Sequence, residues 1–152
     1  MEKMNEKLLS AWLRLSTSVI NNRLVSDLSY NESLICNILY NTQIENPTHL
    51  LTATDLCNET HMLKSQMNRT LNHLEEKNFI TRVRSSGDKR QVFVKFNPDA
   101  ADIYFRQHQK ILALMDNILA HLGPEKSEQT LQVLTTICEV ADNTINNMER
   151  ND

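Results

Sequence analysis

A mainly α-helical fold carrying one small β-hairpin is what the sequence predicts, on three observations. Only two glycines and three prolines interrupt 152 residues, so long helices are expected. Apolar residues recur at spacings of three and four through most of the chain, the period of an amphipathic helix. Strand character is confined to ITRVRSS and QVFVKF, joined by Gly87-Asp88-Lys89-Arg90.

The first helix is predicted from about Lys7 to Leu24, where Leu8, Trp12, Leu15 and Val19 share one face with Leu9, Leu13 and Ile20 alongside. A second starts at Ser29, which with Glu32 forms a capping-box pattern ahead of Leu34, Ile35, Ile38 and Leu39. Asn41 to Pro47 reads as a loop. Thr52 and Asp55 repeat the capping box and open a short helix, and a turn through His61 and Met62 leads into the next. In that helix Leu63, Met67, Leu71 and Leu74 form an apolar stripe, while Ser65, Asn68, Arg69 and Asn72 lie opposite. The polar face carries Ser, Gln, Asn, Arg and His instead of a Glu/Lys alternation, and such side chains suit base edges and phosphates.

In the hairpin, Ile80, Val83, Val92, Val94 and Phe96 are the apolar positions, and Arg82, Arg84, Gln91 and Lys95 the polar ones. Gly87-Asp88 fits the turn tip, where Asp88 is placed to pair with Arg90 and aim its guanidinium. Asn97-Pro98 reads as an N-cap and first helical residue of a helix running to about Leu122. Its seam is Tyr104, His108, Ile111, Met115, Ile118 and Leu122. After Gly123-Pro124 a last helix repeats the pattern through Leu131, Leu134, Cys138, Ala141, Ile145 and Met148. A helix of about 25 residues reaches roughly 37 Å, more than a small domain covers alone. The seams therefore predict a homodimer in which the first and the last two helices interlock.

At 40% hydrophobic and 23% charged residues, the composition is too apolar for disorder. The net charge of -3 conceals an uneven distribution. Residues 61–96 hold eight basic side chains (Lys64, Arg69, Lys77, Arg82, Arg84, Lys89, Arg90, Lys95) against three acidic ones (Glu75, Glu76, Asp88), a balance of +5 that leaves -8 elsewhere. A basic patch on an acidic body is the footprint of a localised phosphate-binding surface. Cys36, Cys57 and Cys138 form no CxxC or Cys/His ligand pattern, which argues for reduced thiols in a cytoplasm. No apolar run approaches the roughly 20 residues that span a bilayer, so no membrane role is expected. P-loop, GxSxG, HExxH and paired-carboxylate motifs are all absent, which speaks against an enzyme, and neither cofactor nor metal is expected.

The order of helices, the segment TDLCNETHMLKSQMNRTLNHLEEKNFI and the wing GDKRQVFVKF resemble the MarR (multiple antibiotic resistance regulator) family of winged helix-turn-helix regulators, over essentially the whole chain. The resemblance implies a winged helix-turn-helix domain at 29–97 between dimerisation helices at 1–28 and 98–152. It implies an obligate dimer on pseudo-palindromic double-stranded promoter DNA, more often a repressor than an activator, with release by a small-molecule effector, an oxidant or a metal. Lys64, Ser65, Gln66, Asn68, Arg69 and Asn72 match the recognition helix, 63–77, in the major groove. In the wing, 85–90, Arg90 matches the arginine that enters the minor groove, and Arg84 and Lys89 add charge beside it. Two departures are Asn78, where the family has glycine but where Asn also tolerates the left-handed conformation of a C-cap, and Leu63, where many members have a capping Ser or Asp.

For the cysteines an inert buried thiol is the preferred reading over a redox sensor. His108 reads first as a core or interface histidine, then as part of an organic-ligand pocket, and least as a metal ligand, because no partner stands at i+3 or i+4. Trp12 is the other weak effector candidate, core packing being its default. The rival to a DNA-reading regulator is a winged-helix dimer acting as a protein-interaction adaptor or small-molecule binder without an operator.

Overall fold

The computed structural model describes residues 3–20 and 27–150, except for the side chains of 18–20. In chain order it contains α1 (Met4–Arg14) continuing as a π-helical segment (Leu15–Ile20), α2 (Tyr30–Glu45), β1 (Leu51–Thr52), α3 (Ala53–Thr60), α4 (Lys64–Glu76), β2 (Ile80–Arg84), β3 (Val92–Phe96), a 3-10 turn (Pro98–Ala100), α5 (Ala101–Leu122) and α6 (Pro124–Glu149). The chain divides into two compact units, Met1–Lys110 and Ile111–Asp152.

Both predicted capping boxes are present. Ser29 accepts from the Glu32 N–H while Glu32 accepts from the Ser29 N–H, and Thr52 and Asp55 do the same. α2 runs through Glu45, five residues into the expected loop. Asn41 and Thr42 are weak helix formers, but Gln43 is a good one and nothing breaks the helix before Pro47, which forces Asn46 out of the helical region (φ -145°, ψ 84°). In α1 the normal ladder ends at Arg14. Just beyond it the hydroxyl of Ser16 donates to the Trp12 carbonyl (2.9 Å) and that of Thr17 to the Leu13 carbonyl, competing with regular backbone bonds where the helix widens. The expected end of this helix at Leu24 lies outside the described residues.

The hairpin is part of a three-stranded antiparallel sheet of order β1-β3-β2. β1 has only two residues, with Leu51 opposite Val94 and Thr52 opposite Phe93. In the β2–β3 register Ile80 faces Phe96, Arg82 faces Val94 and Arg84 faces Val92. Strand alternation therefore puts Arg82 and Arg84 on the same face as Ile80, and Val83, expected among the apolar positions, points the other way and is exposed.

The core of the first unit is built where α2, α3 and α4 meet the sheet. Leu28, Ile35, Leu39, Leu56, Met67, Leu71, Leu74 and Ile80 are fully buried there. Met67, Leu71 and Leu74 each contribute roughly 1.5–3 kcal/mol by leaving water, which seats α4 firmly. Leu63, expected in the same stripe, is instead 66% exposed. It is the N-cap, with extended backbone (φ -63°, ψ 145°), so its side chain leaves the helix surface, and Thr70 completes the buried face. The Thr70 hydroxyl is satisfied by the Gln66 carbonyl at 2.9 Å.

Asn97 does not cap the following helix with its side chain. Its Oδ1 accepts from Thr81 (2.6 Å) and its Nδ2 donates to the Asn78 carbonyl (2.9 Å), which ties the end of β3 to the start of β2. An aromatic cluster of Tyr40, Phe96, Tyr104 and Phe105 packs beyond it. The α1 side chains of Leu8, Leu9, Trp12 and Leu13 are exposed, and in the second unit so are Leu131, Leu134, Cys138, Ile145 and Met148 on α6.

Candidate nucleic-acid interface

Two left-handed residues shape the helix pair. His61 (φ 58°) closes α3 and turns the chain toward α4, and Asn78 (φ 62°) closes α4. At the second site the Phe79 N–H donates to the Leu74 carbonyl (2.9 Å) and the Asn78 N–H to the Glu75 carbonyl (3.0 Å), the paired bonds of a Schellman ending. Asn thus does here what glycine does elsewhere. At the other end of α4, Leu63 supplies no capping side chain, so the first-turn N–H groups remain available to an anion.

Lys64, Ser65, Gln66, Asn68, Arg69 and Asn72 are all exposed on α4, opposite the buried stripe. Arg84 is exposed at the end of β2 and Lys89 and Arg90 at the wing tip. The wing loop is closed by local bonds. Ser85 N–H donates to the Gln91 carbonyl (2.9 Å), Gln91 N–H to the Asp88 carbonyl (3.0 Å), and the Ser85 hydroxyl accepts from the N–H groups of Gly87 and Asp88. Asp88 Oδ1 accepts the backbone N–H of Arg90 at 3.0 Å. This corrects the expectation that Asp88 pairs with the guanidinium: it shapes the turn. Between α4 and the wing lies an open cleft of about 370 Å³ lined by Asn68, Leu71, Arg82, Arg84, Val92 and Val94.

Sequence reasoning missed two side chains that organise this surface. Arg82 Nη2 donates to Asn72 Oδ1 at 2.8 Å, and its Nε lies 3.5 Å from Glu75 Oε2. Counting two residues on from the core residue Ile80 would have placed Arg82 on the face toward α4. Lys77, counted with the basic patch, is drawn instead to the buried Glu32 (2.7 Å) and to the Asp27 carbonyl (3.1 Å). Glu32 also faces His73 at 3.8 Å.

The two effector candidates sit apart in character. His108 is half-buried and stacks on Tyr104 with ring centroids 5.5 Å apart, whereas Trp12 on α1 is 46% exposed. On the same face of α5 it is Gln107, not His108, that is buried. Its Nε2 donates to the Leu28 carbonyl (2.9 Å). The Tyr104 hydroxyl donates to Asn37 Oδ1 (2.8 Å), and burial pushes its pKa up to about 12. The cysteines divide. Cys36 is buried, and desolvation, with the Glu32 charge adding and Lys77 opposing, pushes its thiol up to about 12, so it is unreactive. Cys57 is half-buried and Cys138 exposed, so burial does not describe the latter. Among the described residues no three His, Cys, Asp or Glu side chains are grouped to hold a metal ion.

The family model for the transcriptional regulator SarA/Rot matches residues 19–105, more than half of the chain and all of the helix pair and wing. The chain belongs to the SarA/Rot family of transcriptional regulators. Solved structures share the fold of this SarA/Rot regulator. BldR, a transcriptional regulator from Sulfolobus solfataricus, is 25% identical over 91% of this chain and 99% of its own, with a TM-score of 0.68. MepR of S. aureus, solved with DNA, is 17% identical over 92% and 99%, at 0.75. FabT of Streptococcus pneumoniae, also solved with DNA, is 21% identical over 92% and 96%, at 0.67. These neighbours are MarR-family regulators, in agreement with the resemblance carried by the helix pair and wing. No curated protein matches the chain.

Proposed function

We propose that this SarA/Rot regulator is a homodimer that binds a pseudo-palindromic double-stranded operator through α4 and the wing, and acts in the cytoplasm without catalysing a reaction. The observation that carries the reading is the exposed face of α4. It sits on a fully buried stripe and is flanked by Arg84, Lys89 and Arg90, on a body that is otherwise acidic. Ser65, Gln66, Asn68, Arg69 and Asn72 face the major groove, Lys64 and Lys89 take phosphates, and Arg90 enters the minor groove. Residues 29–97 form the reading head, and 1–28 with 98–152 the dimer contact. The exposed apolar side chains of α1 and α6 support that second assignment. Two heads then meet half-sites about one turn apart, roughly 34 Å. Repression, and its relief by a small-molecule effector, follow the MarR resemblance.

The test is an anisotropy titration against the duplex upstream of the protein's own gene and against its scrambled counterpart, at two salt concentrations. The expected result is preference for the native duplex, with a log–log salt slope about one unit shallower for Arg90→Ala. Equal weak binding to both duplexes would leave an adaptor or small-molecule binder instead.

A further inference from the structure

Within this proposed DNA-reading role, one contact decides what the middle of α4 recognises. Asn72 is exposed on the reading face, seven residues and so two turns after Ser65. Its Oδ1 lies 2.8 Å from Arg82 Nη2. Asparagine oxygen and nitrogen are easily exchanged in a structure, but here chemistry assigns them. A guanidinium has five N–H donors and no acceptor, so the amide atom facing it is the oxygen. Arg82 is itself held. It is only 29% exposed, its strand face turns it toward α4, and Glu75, one turn along the helix from Asn72, takes its Nε at 3.5 Å.

The consequence is a change of chemical sense. An unencumbered asparagine presents a donor and an acceptor side by side, which fits adenine's N7 acceptor and N6 donor. One lone pair of Asn72 Oδ1 is held by a cation, which polarises the amide, strengthens its N–H groups as donors and leaves the second lone pair beside a positive charge that disfavours another donor. Beside it the guanidinium offers further donors and repels donor hydrogens. We infer that Arg82 is a positioning residue that makes Asn72 a donor-only reader, so that the base opposite Asn72 in each half-site is guanine, with acceptors at both N7 and O6, and not adenine.

The experiment selects binding sites from a randomised duplex pool with full-length wild type, Asn72→Ala, Arg82→Met and Arg82→Lys proteins, and compares base preference position by position. Wild type should show one position per half-site favouring guanine over adenine by about tenfold, within the range of a single well-made base contact. Asn72→Ala should bring that position close to parity and leave the others unchanged. An alanine on this exposed helical position does not threaten folding. Arg82→Met, by freeing Oδ1, should swing the position toward adenine, and Arg82→Lys, which still donates, should keep guanine. The inference is overturned if Asn72→Ala alters no position, or if the position it alters favours adenine in wild type. A wild type that selects no sequence at all would sink the DNA-reading function itself, a different result from a selective protein indifferent to Asn72.

Discussion

Replacing Glu32 by Gln changes almost no volume and removes one charge, at a carboxylate only 3% exposed that joins the start of α2 to the end of α4. Its Oε2 accepts from the Ser29 N–H at 2.9 Å and from Lys77 Nζ at 2.7 Å. A glutamine can set its one oxygen where Oε2 stands and keep both donors, but both bonds lose the acceptor's charge and an NH₂ replaces Oε1 opposite His73. Hydrogen bonds to charged groups are worth about 1.5–3 kcal/mol. Lys77 is 42% exposed, so solvent screens its share and the lower end applies. The expected loss is about 2 kcal/mol, which for a chain of this size lowers Tm by about 4–8 °C. Thermal unfolding followed by circular dichroism measures it, at one protein concentration because dimerisation makes Tm concentration-dependent. Lys77→Met should be destabilising for the same reason, and the double variant should show less than the sum. A Glu32→Gln protein melting within about 1 °C of wild type would refute the bracing role.

Two further outcomes follow from the same geometry. Cys36 keeps its proton when folded up to about 12, against 9.0 unfolded. Its contribution is therefore complete below pH 9 and is lost as pH rises toward 12, by up to about 1.4 kcal/mol per pH unit. Urea unfolding at pH 9, 10 and 11 should show a flatter alkaline decline for Cys36→Ala than for wild type, and parallel declines would contradict the assignment. Asn78→Ala loses the short polar side chain that eases the left-handed φ of 62° and should be destabilised relative to Asn78→Gly by about 1–2 kcal/mol. Asn78→Gly should be neutral or stabilising in the same melt, and an Ala variant as stable as Gly would argue against a strained C-cap.

What was legible in the sequence lies within a few residues of itself. The boxes Ser29–Glu32 and Thr52–Asp55 and the left-handed ending at Asn78 each depend on neighbours three or four positions away, and each is present. The failures have their own local logic. Asn41-Thr42-Gln43 has loop composition, yet a helix already under way continues until Pro47 intervenes. Leu63 fits the apolar stripe by spacing, but spacing counts only inside the helix, and Leu63 stands one residue outside it. β1, two residues long, has no pattern of its own and exists because β3 offers an edge.

The polar contacts that fix the candidate interface were not legible, because they join residues far apart in sequence. Glu32 meets Lys77, Gln107 meets Leu28, and Arg82 meets Asn72 only through strand register and helix packing. These contacts also separate two kinds of basic residue that composition had pooled. Lys77 and Arg82 spend their charge holding α4 against α2 and β2, while Arg84, Lys89 and Arg90 remain exposed. α4 is seated by Met67, Leu71 and Leu74, braced by Arg82 and stopped by the Asn78 turn, so its reading face moves as one body with the sheet. The bonds described for the wing tip come from its own loop, through Ser85, Asp88 and Gln91. Sequence preference should therefore be set by the rigid helix. In the proposed DNA complex, adaptation to the local width of the minor groove falls to the wing, whose distortion breaks only weak local bonds.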